Sequence, residues 1–310
     1  MREYVQSEDV LTFARAVGTR LRLDILRRII VQRGVTLGEL ATAFGVSRGA
    51  ITQNVQVLLD AELIEVRSEP GKRGTQKRCY LTEDTFVIAL DRRFDSATMY
   101  EAEIPIGQYT SYQALPTCGL ATTDHLIGKE DDPRYFDSPE RTKAAILWIG
   151  EGFVTYRLPN YLEPGQRPVE IQLSFELSSE APGVAETWPS DIHFYFNDVH
   201  LGAWTSPGDF GAAHGTYTPD WWYPNWNQHG LLKLLSINHL GAFIDGAPIS
   251  SVAIDSLALA AGSDMTLRLA VGPEGTVGGM TIFGRGFGNY NQDIKFRVVF
   301  EQDDAAGQQP

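Results

Sequence analysis

The spacing of apolar residues changes once along this chain, from a helical repeat to a repeat of two. Through residue 62, apolar residues recur every three to four positions, as at Val10, Phe13, Ala14 and Val17, a spacing typical of amphipathic helices. From about residue 150 they alternate with polar residues, as in VEIQLSFEL at 169–177, which is typical of strands with one buried face. The two periods predict a helical domain followed by a β domain.

The alternating segments are separated by Gly, Pro and Asn turns, and no long helical pattern lies between them. They include 192–196, 267–271 and 294–300, and together they predict an antiparallel β-sandwich of the jelly-roll kind. The 310 residues are about twice the length of one ordinary domain. We therefore predict a two-domain α+β protein with domains at 1–95 and 96–305, followed by a disordered tail at 306–310.

Charge follows the same division of the chain. Residues 1–95 carry 15 Lys and Arg against 13 Asp and Glu, whereas the remaining residues carry 11 against 26. DNA phosphates would repel the acidic second part but not the first. No apolar run reaches the roughly 18 residues of a membrane helix, and the N-terminus lacks the apolar core of a secretory signal. Since Cys79 and Cys118 form no disulfide framework, we expect a cytoplasmic protein with no membrane partner.

Residues 36–66 contain the most informative motif. Thr36 followed by Glu39 matches a capping box, Gly45 permits a tight turn, and Ser47 can cap a second helix. The apolar stripe of that second helix consists of Ile51, Val55, Leu58 and Leu59. Its opposite face is predicted to enter a major groove, where Gln pairs with adenine and Arg with guanine. The residues predicted to contact DNA there are Ser47, Arg48, Gly49, Thr52, Gln53 and Gln56.

A basic hairpin is predicted directly after this helix. The strand-like IEVR is followed by SEPGKRGT and QKRCYL, and the turn region carries Lys72, Arg73, Lys77 and Arg78. Cations on such a wing supply contacts to phosphates, and we predict Lys72, Arg73 and Lys77 as those contacts. The basic hairpin alone could be a solvated loop, and the helix-turn-helix pattern alone could arise by chance. The two occur together in the order and spacing of a winged helix, which favours binding to double-stranded DNA.

The segments VGTRLRLDILRRI at 17–29 and SRGAITQNVQVLLDAELIEV at 47–66, with the glycine-rich wing, resemble the arsenic-repressor (ArsR) class of winged-helix regulators. The resemblance implies a cytoplasmic homodimer that binds a palindromic operator. It also leaves the segment Thr82 to Asp95 open between a dimerising helix, as in the family, and a strand. The N-terminal helix around Leu11 and Phe13 is the preferred dimer contact. Unlike the metal sensors of the class, the first helix of the motif, LGELATAF, has neither Cys nor His, so we expect no metal site and no cofactor.

The β domain contains an aromatic-rich segment at 204–226. Aromatic rings stack on the C–H faces of sugars, while Asp, Asn and His side chains pair with hydroxyls, so we expect a small polar effector of carbohydrate-like chemistry. The alternative is that these aromatic residues fill the core beneath a long connection. The predicted ligand contacts are His193, Tyr195, Trp204, Asp209, His214, Asp220, Trp221, Trp222 and Trp226.

The sequence does not favour catalysis in the β domain. No two of its histidines have a metal-ligand spacing with a nearby Glu, and there is no Gly-x-Ser-x-Gly motif. We therefore predict a ligand-responsive transcription regulator that is not an enzyme. The alternative is a winged-helix regulator whose β domain is an enzyme or a protein-interaction module.

Overall fold

The computed structural model describes residues 2–4, 7–32, 34–71, 74–82, 86–88, 98–272 and 278–302. They divide into two compact units between residues 95 and 96. The first is mainly helical and the second is an antiparallel β structure, which confirms the predicted fold class. None of the described helices has the length and hydrophobicity needed to cross a bilayer. The predicted tail at 306–310 lies outside the described residues.

The first unit is a winged helix. Its helices are α1 (Ser7–Val17), α2 (Arg20–Gln32), α3 (Leu37–Phe44) and α4 (Arg48–Asp60), and its strands are β1 (Arg2–Tyr4), β2 (Val35–Thr36), β3 (Ile64–Gly71), β4 (Gly74–Leu81) and β5 (Phe86–Ile88). Strands β3 and β4 form the predicted antiparallel hairpin, and β2 pairs with the other edge of β4. The helices bury one apolar face each against a common core that includes Ile25, Ile29, Leu40, Ile51 and Leu58.

The segment that the sequence leaves open between helix and strand is a strand where the structure describes it. Residues 86–88 pair in parallel with β1, whereas residues 83–85 and 89–95 lie outside the described part of the chain. The ring of Phe86 lies 5.9 Å from that of Phe13. Phe13 therefore packs within its own unit, while Leu11 on the same helix is 45% exposed.

The strands of the second unit pair into one 12-stranded antiparallel sheet. The strands are β6 (Thr98–Ile104), β7 (Tyr109–Ala121), β8 (Ile146–Leu158), β9 (Gln166–Ser178), β10 (Ser190–Phe196), β11 (Val199–Ser206), β12 (Leu231–Asn238), β13 (Gly241–Ile244), β14 (Ala247–Ser250), β15 (Met265–Val271), β16 (Met280–Phe283) and β17 (Ile294–Gln302). Neighbours follow the order β11-β10-β15-β8-β16-β9-β12-β13-β14, with β7 on β8, β17 on β9 and β6 on β17. The predicted alternation is present in β10 and β15, where every second residue is buried in the main core.

Strand β9 departs from simple alternation because its second half is buried on both faces. Glu176, on the face predicted to be polar, is fully buried. Its carboxylate accepts hydrogen bonds from the backbone N–H groups of Gly230 at 2.7 Å, Asn289 at 2.8 Å and Tyr290 at 2.9 Å. We call this arrangement the Glu176 clasp. The clasp holds the two loops that contain Gly230 and Asn289 against β9. These loops form a second buried layer outside the sheet.

Two further features of the loop that contains Asn289 are related to the clasp. A Cβ at Gly288, where φ is +72°, would lie 2.4 Å from Glu176 Oε1, so the residue there must be glycine. Further along the same loop, the backbone N–H of Asp293 donates to Glu103 Oε1 at 2.8 Å, and Arg285 forms an ion pair with the same carboxylate. Glu103 lies on β6, so the loop is joined to the first strand of this unit.

Candidate functional site

The helix-turn-helix has the local geometry that the sequence predicts. Thr36 Oγ1 accepts from the backbone N–H of Glu39 at 3.2 Å, and the Glu39 carboxylate accepts from the backbone N–H of Thr36 at 2.7 Å. Gly45 adopts the left-handed conformation at φ 64° that ends α3. Ser47 Oγ then accepts from the N–H of Ala50 at 3.2 Å and caps α4. These caps fix the angle at which α4 leaves the turn.

Helix α4 presents a polar face to solvent. Its buried side consists of Ile51, Val55 and Leu58, while all six residues predicted to contact DNA on this helix and its cap are exposed. The Gln56 amide donates to Asp60 Oδ1 at 2.7 Å, whereas the side chains of Arg48 and Gln53 make no hydrogen bond within the described residues. Of the six, Arg48 and Gln53 are therefore the side chains best placed to bind a ligand outside the chain.

The two basic wing residues that the structure describes differ in their exposure. Lys77 is exposed, but Arg78 is held inside the unit. Its guanidinium donates to the carbonyl of Gly34 at 2.9 Å and lies within 4 Å of the carboxylates of Glu39 and Glu69. Lys72 and Arg73, the other predicted wing contacts, lie outside the described residues.

The second unit contains a cavity of about 270 Å³ that we call the tryptophan pocket. Three indole rings, of Trp148, Trp222 and Trp226, form its apolar wall. The ring centroid of Trp148 lies 5.8 Å from each of the other two, which are 4.9 Å apart, and the three rings are steeply inclined to one another. The polar side chains that line the pocket are Thr117, Glu130, Asp131, Glu180, Asn227 and Thr281. An apolar wall with a few convergent polar groups is typical of a small-molecule site.

Glu180 is the most perturbed ionisable group of the tryptophan pocket. The residue is half-buried, but its carboxyl is set into the wall, where the hydroxyls of Thr117 and Thr281 donate to it at 3.1 and 2.8 Å. Burial raises its pKa well above the ordinary value, and the charges of Asp209 and Asp131 act in the same direction. The two hydrogen bonds lower the pKa by less, so the carboxyl holds a proton more strongly than an exposed glutamate does.

Asn227 supplies an unused hydrogen-bond acceptor. Its amide nitrogen lies 2.6 Å from Ser178 Oγ and 3.1 Å from Thr281 Oγ1 and donates to both, which fixes the orientation of the amide. Its Oδ1 is buried and has no hydrogen-bond partner among the described residues, and the residue as a whole is only 4% exposed. A buried acceptor without a partner costs free energy.

Asp209 lies directly behind the pocket wall. Its Oδ2 accepts from the backbone N–H of Ala181, a pocket residue, at 3.0 Å, and its Oδ1 has no partner among the described residues. Burial raises the pKa of Asp209 to about 7, and the charge of Glu186 adds to the effect. The structure thus places two protonatable carboxyls, of Asp209 and Glu180, next to each other at one wall.

The predicted ligand contacts are dispersed over the unit. Trp222 and Trp226 line the tryptophan pocket, Asp209 lies behind it, and Trp221 packs against Trp222 at 5.5 Å between ring centroids. The sequence predicts that this segment either contacts a ligand or fills the core, and Trp222 is consistent with both. It is buried in a small aromatic core and also forms part of the pocket wall.

The other predicted contacts do not line this pocket. His214 and Asp220 are exposed, and Trp204 lies under the ammonium of Lys233 at 4.7 Å. His193 Nδ1 is 3.1 Å from His200 Nε2 on the outer face of β10, where the Tyr195 ring also packs on His200. The described residues contain no group of three or more His, Cys, Asp or Glu arranged to hold a metal ion.

Sequence reasoning did not select Trp148, Glu180, Thr117 or Thr281. They come from separate strands and loops, and the sheet pairing brings them together: β16 pairs with both β8 and β9, placing Thr281 opposite Trp148 and Ser178. A weak signal exists at Trp148, since a tryptophan within the apolar run ILWIG fits poorly in a simple one-sided strand. The acid in SSEAPG, Glu180, gives no such signal.

One comparison with known proteins finds a match within the first unit. Residues 19–74 match the model of the MarR family, which fits a winged helix-turn-helix region and indicates a DNA-binding transcriptional regulator. The match does not confirm the ArsR subtype. No curated protein matches the chain.

Similar solved structures share little with this chain. A cycloisomaltooligosaccharide glucanotransferase from Paenibacillus sp., complexed with cycloisomaltoheptaose, has 11% identity and a TM-score of 0.25 over 64% of this chain and 19% of its own. Dimeric latent PorU from Porphyromonas gingivalis has 10% identity and a TM-score of 0.28 over 74% and 16%. The Cry4Aa toxin from Bacillus thuringiensis has 12% identity and a TM-score of 0.26 over 76% and 29%. The chain spans less than a third of each of these proteins, and such low scores support no functional argument.

Proposed function

We propose that the protein is a cytoplasmic, dimeric transcription regulator in which α4 reads a palindromic operator and the tryptophan pocket binds a small polar, carbohydrate-like effector. The observation that carries the DNA-binding part is the capped α3–turn–α4 arrangement with the exposed side chains of Arg48 and Gln53, which form no hydrogen bond with any described residue. The capped helix enters a major groove with its N-terminal residues towards the base edges. Arginine then pairs with guanine and glutamine with adenine.

The effector-binding part is supported by the tryptophan pocket. Indole faces suit the C–H surface of a sugar ring, and Asn227 and Glu180 provide polar groups that can orient hydroxyls. The cavity volume of about 270 Å³ is near the lower end for ligand sites, which are on the order of 300–1,000 Å³. The pocket therefore suits a molecule of monosaccharide size. Binding changes operator affinity if the ligand prefers one of two conformations of the dimer.

Dimerisation is proposed through the exposed apolar residues of α1 and α2. Leu11 is 45% exposed, and Ile30 and Val31 near the end of α2 are 50% and 78% exposed. Phe13 is not required for this contact because it packs on Phe86 inside its own unit. Sedimentation of the Leu11→Asp and Val31→Asp variants tests the proposal, since a monomeric variant is expected and an unchanged dimer would contradict it.

The DNA-binding proposal is tested by selecting binding sites for the full-length protein from a random duplex pool and measuring variants on the best site. Arg48→Ala and Gln53→Ala are each expected to weaken specific binding by roughly 5- to 150-fold, since each base contact contributes about 1–3 kcal/mol. Arg27→Ala removes the same charge from α2, where the side chain is 70% exposed, and is the matched control. An equal loss in all three variants, or none in the α4 variants, would contradict the assignment of α4.

Catalysis in the β domain is a second candidate because of Glu180. A carboxyl of raised pKa beside a second acid is also found where a general acid acts on a glycosidic bond. We propose that the pocket binds without turnover. Incubation of the full-length protein with any glycoside that binds, followed by product analysis, distinguishes the two, since release of a reducing sugar would establish an enzyme.

A further inference from the structure

The ionisable side chains that line the tryptophan pocket are all acids. Glu130, Asp131 and Glu180 face the cavity, and no Lys, Arg or His belongs to its described lining. Asp209 adds a fourth carboxyl behind the wall and raises the pKa of Glu180. An anionic ligand such as a sugar phosphate would meet repulsion from every ionised group here.

The hydrogen-bonding groups of the wall are mostly acceptors. The hydroxyl hydrogens of Thr117 and Thr281 are used by Glu180, and the amide hydrogens of Asn227 are used by Ser178 and Thr281. The indole N–H of Trp222 donates to the backbone carbonyl of Asn227 at 2.9 Å. What remains for a ligand includes the carboxyl groups of Glu130, Asp131 and Glu180. These acceptors favour a positively charged donor.

The aromatic part of the wall favours the same charge. Each indole face carries negative quadrupole density and attracts a cation that lies within about 6 Å of the ring centroid. Three such rings, of Trp148, Trp222 and Trp226, meet in one cavity with centroids 4.9 to 5.8 Å apart. The indole N–H groups of Trp148 and Trp226 are neutral donors and bring no positive charge.

We propose that the effector of the tryptophan pocket is an organic cation that bears an N–H group, a protonated amine of the amino-sugar class. This inference rests on the proposed function of the pocket as the effector site and specifies the chemistry of its ligand. The ammonium donates to the carboxylates of Glu180 and Asp131, and its flank lies against the indole faces. Burial raises the pKa of Glu180, and the arriving cation acts in the opposite direction by favouring the ionised carboxylate.

The test measures tryptophan emission and calorimetric binding on the full-length protein with matched probes at about pH 6.5, where such amines remain protonated. Glucosamine is compared with glucose, N-acetylglucosamine and glucose 6-phosphate, and ethanolamine with ethylene glycol and choline. We expect each primary amine to bind at least about tenfold more tightly than its neutral partner, the effect of one desolvated cation on one aromatic face. Choline, which lacks an N–H group, should bind more weakly than ethanolamine.

Two variants test whether the acidic side chains of the tryptophan pocket cause the preference for amines. Glu180→Gln is expected to reduce the preference for glucosamine over glucose by about tenfold. Asp131→Asn is the second variant if that protein folds poorly, because Asp131 has φ 58° and asparagine tolerates this conformation. Glu163→Gln removes an exposed acid outside the pocket and should leave the preference unchanged.

The outcomes separate this inference from the proposed function. Equal or tighter binding of the neutral sugars or of glucose 6-phosphate, lost in Trp222→Ala, would overturn the cation assignment and leave the effector site in place. Absence of binding by every probe would overturn both. Tight amine binding that does not change operator affinity would support the cation assignment and contradict the regulatory coupling.

Discussion

Asp209 makes a quantitative prediction about how the stability of the β unit depends on pH. The side chain is fully buried, and its pKa is raised from 3.8 to about 7. The pKa of Asp209 is higher in the folded state than in the unfolded state, so protonation stabilises the folded form. This stabilisation is complete below about pH 3.8, the unfolded value. This contribution is lost as the pH rises to about 7. At about 1.36 kcal/mol per pKa unit, the loss over this window is on the order of 4 kcal/mol.

The perturbation that isolates this effect is Asp209→Asn, compared with the unmodified protein from about pH 4 to 8. All six tryptophans lie at or after residue 148, so melting followed by tryptophan emission reports on the β unit alone. The difference in melting temperature between the two proteins should change by roughly 8–16 °C across the range, at about 2–4 °C per kcal/mol for a domain of this size. The unmodified protein should lose stability relative to the variant as the pH rises.

Glu180 must be controlled because its pKa is also raised and it interacts with Asp209. The same comparison in a Glu180→Gln background removes that coupling. A difference between the two proteins that stays constant from about pH 4 to 8 in both backgrounds would refute the reasoning, because it would show that Asp209 does not hold a proton in the folded state.

Two further substitutions test the local structure of each unit. Ser47→Ala removes the acceptor for the N–H of Ala50 and should cost the helical unit about 1 kcal/mol of unfolding free energy, measured by far-ultraviolet circular dichroism in denaturant; Ser111→Ala on the β unit should leave that transition unchanged. Glu176→Gln places an amide among three backbone N–H donors and should destabilise the β unit by about 3–5 kcal/mol, measured by tryptophan emission in denaturant. A Glu176→Gln protein as stable as a Glu163→Gln control would show that the clasp carries little energy.

The helix-turn-helix could be predicted closely because its determinants are local. Thr36 and Glu39 lie three residues apart and bond to each other, and Gly45 adopts the one backbone conformation for which glycine is preferred. The alternating strands were also predictable, since a period of two needs no knowledge of the partner strand. Arg78 is different, because its carbonyl and carboxylate partners on Gly34, Glu39 and Glu69 are not adjacent to it in sequence.

The tryptophan pocket was predicted only in part because its members are distant along the chain. The aromatic segment at 204–226 was recognised by composition, and two of its tryptophans line the cavity. Glu180 is unremarkable in sequence, and its significance depends on strand register and on the loops above β9. The alternation rule assigns Glu176 to an exposed face, and it fails there because a rule based on one sheet does not anticipate a second covering layer.

The Glu176 clasp also has a consequence for communication along the chain. The loop that it grips is bonded at its other end to Glu103 on β6, and β6 is the strand by which the chain enters the β unit after residue 95. Because the carboxylates of Glu176 and Glu103 both hold this loop, a displacement of the loop would act on β6 as well as on β9, without a rearrangement of the interior of the sheet.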